Sequence, residues 1–142
     1  MRSLAICSRS FSKHPILRKE VLKLYPDAKF NDEGLLLSGD SLVEFLQECE
    51  KAITALEVVD EKILSKLPGL KVIGKYGVGL DMLDLNAMSK YDVKLGWTGG
   101  VNKRSVSELV VSFAIYLLHR VAFANSEVKT GNWYQVIGRQ LS

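Results

Sequence analysis

The sequence predicts an α/β fold: a parallel five-stranded sheet with helices on both faces, followed by a C-terminal helical arm. Three observations carry this reading. Short apolar runs bounded by turn residues alternate with segments whose apolar residues recur at helical spacing. The connections are short, which implies βαβ units whose right-handed crossovers place helices on both faces. Two late strand ends run into glycine turns, Gly77-Val78-Gly79 and Thr98-Gly99-Gly100, each leading to a helix start. Strand ends of that kind line the crevice of an open parallel sheet.

Residues 3–7 form the first apolar run. Pro15 opens a helix in which Ile16, Leu17, Val21, Leu22 and Leu24 share helical spacing, and proline suits a first turn because its missing N–H is not needed there. Residues 28–31 read as a second, short strand. Ser41 reads as the cap of the next helix, with Glu44 completing a capping box. Residues 52–59 read as the third strand. Asp60 caps the helix that follows, stopped by Pro68 and Gly69. Residues 70–75 are the fourth strand, Asp81 the cap of a helix whose body is 83–90, and residues 94–97 the fifth strand. This layout is flavodoxin-like.

Residues 104–120 read as one long helix, apolar on nearly every face, and residues 124–133 as a polar amphipathic helix. A helix apolar all round is normally buried all round. No strand follows that would cover it, so a partner surface is expected. The organisation is thus 1–100 for the sheet domain and 101–142 for the helical arm.

The bulk properties narrow the function. A chain of 142 residues is one domain with an appendage. It is 47% apolar and 25% charged with a net charge of +3, ordinary values for a globular domain. The cations form no stripe, which argues against nucleic acid. The longest apolar run, 109–118, is half the roughly 20 residues a membrane span needs, and the N-terminus lacks a secretory pattern. A cytoplasmic location without membrane partners is the expectation. Cys7 and Cys49 have no CxxC or metal-ligand spacing and read as buried hydrophobes in a reduced compartment. No metal site is expected.

Gly77-Val78-Gly79 is not a dinucleotide fingerprint, because the third glycine's position holds Met82. One reading is a tight turn that needs positive φ. The other is a pair of backbone donors, Val78 and Gly79, at a strand end and helix start, where an anion is favoured. Asn102 supplies an uncharged donor in the second loop. Ser105 with Glu108 reads as a capping box. His119, at a helix end, suits the C-terminal dipole, whereas His14 follows the first strand on the ligand side. There is no Ser-His-Asp set, P-loop or metal cluster, and so no self-sufficient catalytic apparatus.

The segment LKVIGKYGVGLD, continuing through LDLNAMSKYDVKLGWTGGVNKRSVSE, resembles the D-isomer-specific 2-hydroxyacid dehydrogenases, of which the phosphoglycerate dehydrogenase branch is best known. Asn102, Ser105, Val106 and Glu108 match the family pattern. Trp97-Thr98-Gly99 stands where the family has Asn-Thr-Pro, and Ser107 where it has alanine. The likeness is good over residues 52–142 and loose before them.

The resemblance implies that Val78 and Gly79 contact the substrate carboxylate, with Val78 also near the nicotinamide and Asn102 lining the same crevice. It implies a 2-hydroxy or 2-oxo acid as substrate, NAD or NADP as cofactor, and a homodimer through residues 104–142. The Rossmann core and the family's catalytic Arg, Glu and His would lie beyond Ser142, so no catalytic residue is expected in this chain and it should be inert alone. The alternative is a non-catalytic carboxylate-binding or interaction module on a flavodoxin-like fold. An unrelated receiver or flavodoxin domain fits less well, because the acidic cluster of the one and the hydroxyl-rich phosphate loop of the other are missing.

Overall fold

Leu4 and Ile6 alternate with Ala5 and Cys7 along the first strand, and all four are buried. A strand apolar on both faces belongs in a parallel sheet covered on both sides. The computed structural model, which describes residues 2–142, has that sheet. Its strands are β1 (Arg2–Ile6), β2 (Lys29–Phe30), β3 (Cys49–Thr54), β4 (Val72–Lys75) and β5 (Lys94–Gly96). They are all parallel, in the order β2-β1-β3-β4-β5. The helices are α1 (Arg9–Lys13), α2 (Pro15–Leu24), α3 (Gly39–Leu46), α4 (Glu61–Ser65), α5 (Leu85–Lys90), α6 (Lys103–Leu118) and α7 (Val121–Lys129).

One face of the sheet presents Ala5, Cys7, Ala52 and Ile73 to Leu42 and Leu46 of α3, Ile63 and Leu64 of α4, and Ala87 and Met88 of α5. The other presents Leu4, Ile6 and Ile53 to Phe11 of α1 and to Leu17 and Val21 of α2. Helices therefore cover both faces, and the apolar alternation decides which residues each one meets.

The structure corrects several expected boundaries. The third strand begins at Cys49 and ends at Thr54. Residues 55–58 leave the sheet because the Ala55 N–H donates to the Glu57 carboxylate at 2.6 Å. The fourth strand begins at Val72 and the fifth ends at Gly96. Ser38, not Ser41, caps α3. Ser41 lies inside the first turn, where its Oγ accepts the Ser38 N–H at 3.0 Å, so Glu44 is not used.

Asp81 is not a helix cap. Val59 donates to the Met82 carbonyl at 2.8 Å and accepts from the Asp84 N–H at 3.0 Å, which holds the chain extended there. Asp84 instead caps α5, accepting the Ala87 N–H at 2.9 Å. The short helix α1 has no sequence signal beyond its cap, Ser8, which accepts the Phe11 N–H at 3.3 Å.

Inter-residue contacts divide the chain into two units, Met1–Gly99 and Gly100–Ser142. In the second, α6 starts at Lys103 behind Asn102, and Ser105 and Glu108 form no capping box. Glu108 instead pairs with Arg104 Nε one turn away, at 3.1 Å. The long helix stops at Leu118, since Arg120 adopts a left-handed φ of 53°, and α7 begins at Val121 rather than at residue 124. No residue of α6 or α7 is buried. Among the described residues no single helix is long and apolar enough to cross a membrane, and the α6–α7 pair is bent by 59°.

Thr54, fully buried at the end of β3, has a hydroxyl without a hydrogen-bond partner among the described residues. An unsatisfied buried hydroxyl carries a desolvation cost that an apolar isostere avoids. Thr54→Val is therefore expected to leave stability unchanged or raise it by about 1 kcal/mol, measured as a rise in the urea midpoint at constant slope.

Candidate functional site

In a parallel sheet every strand delivers its following loop to one edge. Here that edge carries the segments after β1, β3, β4 and β5, together with the long loop after β2. The chain order reverses between β1 and β3, since β1 leads outward to β2 and β3 leads the other way to β4. Ligands of open α/β sheets bind at such a reversal, outside the carboxyl ends of the strands.

A cleft of about 350 Å³ lies there, between Ser8 and Arg9 after β1 and Ala55, Leu56 and Glu57 after β3, with Leu36 on its wall. Its floor is polar. The buried Glu57 carboxylate accepts the Ala55 N–H, and Lys75 Nζ, from the end of β4, donates to the Ala55 carbonyl. Burial pushes the neighbouring Cys7 thiol well above its ordinary pKa, and the Glu57 charge adds to the shift. Cys7 is thus a neutral core group and no nucleophile.

Beside the cleft, the turn after β4 carries the two backbone donors. Tyr76 is fixed at the start of the turn: its N–H donates to the Thr54 carbonyl at 2.8 Å, and its ring meets Phe11 edge-on with centroids 5.1 Å apart. Gly77 then adopts a φ of +135°, which only glycine reaches without strain. The Val78 carbonyl accepts from Trp97 Nε1 at 3.1 Å. Leu80 packs on the core and closes the turn.

Among the described residues, neither the Val78 nor the Gly79 N–H donates to another protein group. Two successive N–H groups of this kind are able to donate to an anion. The helix-start argument does not apply, because α5 opens only at Leu85. The local charges oppose one another. Lys75 favours an anion, while the Asp81 carboxylate lies 3.1 Å from where a Gly79 Cβ would stand.

Asn102 belongs to the second unit. It is the N-cap of α6 and makes no side-chain cap bond, so its amide group is not used to satisfy the helix. His14 has a structural role, with Nδ1 accepting the Leu17 N–H at 3.4 Å to cap α2. His119 is the C-cap of α6.

The turn 77–79 does not fit the pyrophosphate of a dinucleotide. The turn 77–79 has Met82 where the third glycine of the fingerprint belongs, and no helix opens behind the turn to receive a pyrophosphate. The sequence reading also missed Lys75, Trp97 and the β1–β3 cleft. Gly99, two residues after a tryptophan, was the available signal, because a ring that large folds back only over a residue without a side chain.

The comparisons agree with the fold. Residues 5–136 match the family described as "D-isomer specific 2-hydroxyacid dehydrogenase, catalytic domain". A glyoxylate reductase of Thermococcus litoralis is 27% identical over 113 residues, 79% of this chain but 32% of that enzyme. D-3-phosphoglycerate dehydrogenase of Sus scrofa is 29% identical over 98 residues, 68% of this chain and 18% of that enzyme. Among solved structures, D-lactate dehydrogenase from Aquifex aeolicus, complexed with NAD and lactic acid, superposes with a TM-score of 0.78 at 21% identity. That match covers 98% of this chain and 41% of the other. The chain thus spans about a third or less of the length of these curated relatives, over the part that forms the substrate-binding domain, and it belongs to the D-isomer-specific 2-hydroxyacid dehydrogenase family.

Proposed function

We propose that this chain is the substrate-binding part of an NAD(P)-dependent oxidoreductase that interconverts a D-2-hydroxy acid and its 2-oxoacid. The observation that carries the reading is the pair of unpaired donors, Val78 N–H and Gly79 N–H, beside the cleft at the β1–β3 reversal. The donors take the substrate carboxylate and the cleft receives the remainder of a small acid, as in relatives named glyoxylate reductase and D-3-phosphoglycerate dehydrogenase. Val78 approaches the nicotinamide, as the family resemblance implies. The buried thiols Cys7 and Cys49 suit a reducing, cytoplasmic setting.

The residues present bind and orient the acid but do not transfer hydride. The 142-residue chain is therefore expected to bind glyoxylate saturably by calorimetry and to leave NADH unoxidised when both are supplied. NADH consumption above the buffer rate would overturn this division of roles. Loss of saturable glyoxylate binding would favour an interaction module.

A further inference from the structure

We propose that Trp97 is a positioning residue that orients the Val78–Gly79 peptide group, and that Gly99 is glycine to make room for it. The proposal rests on the reading that the Val78 and Gly79 amides receive the carboxylate. A peptide group is planar and trans, so its carbonyl and its N–H point in opposite directions. No cis peptide bond occurs among the described residues. The Val78 carbonyl and the Gly79 N–H belong to the same peptide group. Trp97 Nε1, by donating to that carbonyl at 3.1 Å, fixes where the Gly79 N–H points. It also polarises the peptide, and chains of hydrogen bonds strengthen one another in this way.

The other restraints on the turn stop short of this peptide. Tyr76 is held by Thr54 and Phe11, and Leu80 by the core. Between them the backbone passes through Gly77, at a φ of +135°. The indole is the group that reaches the donor peptide itself.

Its position has a steric condition. A Cβ at residue 99 would lie 2.7 Å from Trp97 Cη2 and 2.9 Å from Cζ2. Both departures from the Asn-Thr-Pro pattern, Trp97 and Gly99, follow from this one arrangement. A proline at 99 could not coexist with the ring in this place.

The test uses the full 142-residue chain and NMR signals of the turn. Trp97→Phe keeps an aromatic ring and removes the donor. It is expected to shift the Val78 carbonyl carbon and Gly79 amide resonances, leave the β1 and β3 amides in place, and weaken glyoxylate binding about fivefold, the value of one net hydrogen bond. Gly99→Ala, which displaces the ring by its Cβ, is expected to move the same two resonances. It keeps the question open to measurement should Trp97→Phe fail to fold. Unmoved Val78 and Gly79 resonances in a folded variant would overturn the proposal, as would unchanged glyoxylate affinity in Trp97→Phe. If glyoxylate leaves these amides unperturbed in the unsubstituted chain, the carboxylate reading fails by itself. The variant shifts without ligand then still decide whether Trp97 orients the peptide.

Discussion

Phe113→Asp is expected to separate the dimer that we propose two copies of this chain form through α6. Val106, Leu109, Val110, Phe113 and Leu117 recur at helical spacing along α6, and each is about half exposed or more. Val111 and Ile115 leave the opposite side of the helix apolar as well. Full burial of a large apolar side chain contributes about 1.5–3 kcal/mol, so a second copy of α6 is the economical cover for this stripe. A two-fold contact is self-complementary, so one substitution acts twice. Two buried carboxylates in place of two rings should raise the dissociation constant at least about a hundredfold. Sedimentation of the chain and its variant reads the effect. A wild-type monomer that keeps its helix content at high micromolar concentration would contradict the pairing.

The two glycines of the binding turn should fail in different ways. Gly77 has a φ of +135° and open space around its Cβ position, so Gly77→Ala strains the backbone without steric conflict. A loss of stability of about 1–3 kcal/mol is expected from that strain. Gly79 has no such φ, and a Cβ there meets only the end of the flexible Asp81 side chain. Gly79→Val should therefore fold normally but place a branched side chain beside the donor amides, weakening glyoxylate at least about tenfold by obstructing the contact. Urea midpoints and calorimetric affinities separate the two effects. A Gly79→Val chain that binds as before would remove the turn from the site.

The sheet was legible because its signals are local. Leu4, Ile6, Ala52 and Ile73 stand in apolar runs whose order and connections dictate a parallel arrangement. The helix starts were less legible where two capping residues compete three positions apart. Ser38 and Ser41 offer the same hydroxyl, and Asp81 and Asp84 the same carboxylate. The choice between the aspartates was made by the pairing of Val59 with Leu83, a contact between segments that the sequence does not connect. The break at Arg120 was hidden for another reason: a left-handed arginine carries no composition signal.

The site divides in the same way. The turn that carries Val78 and Gly79 could be read from its glycines at a strand end, and among the described residues their N–H groups donate to no other protein group. The supposed helix dipole behind them depended on the misplaced cap. Trp97 acts on a carbonyl 19 positions away, and the β1–β3 cleft gathers residues from three separate loops. The cleft has no spacing rule by which a sequence could announce it, and the Trp97–Gly99 spacing signals a ring over a glycine but not the carbonyl that the ring reaches.

The central claim, that the Val78 and Gly79 amides take a substrate carboxylate, is tested most directly by amide NMR during titration with glyoxylate at constant ionic strength. The account predicts that the Val78 and Gly79 signals move first and saturate together, and that chloride at equal concentration does not reproduce the shifts. Equal movement at the N-termini of α2, α3 and α6, with no preference for the turn after β4, would contradict it.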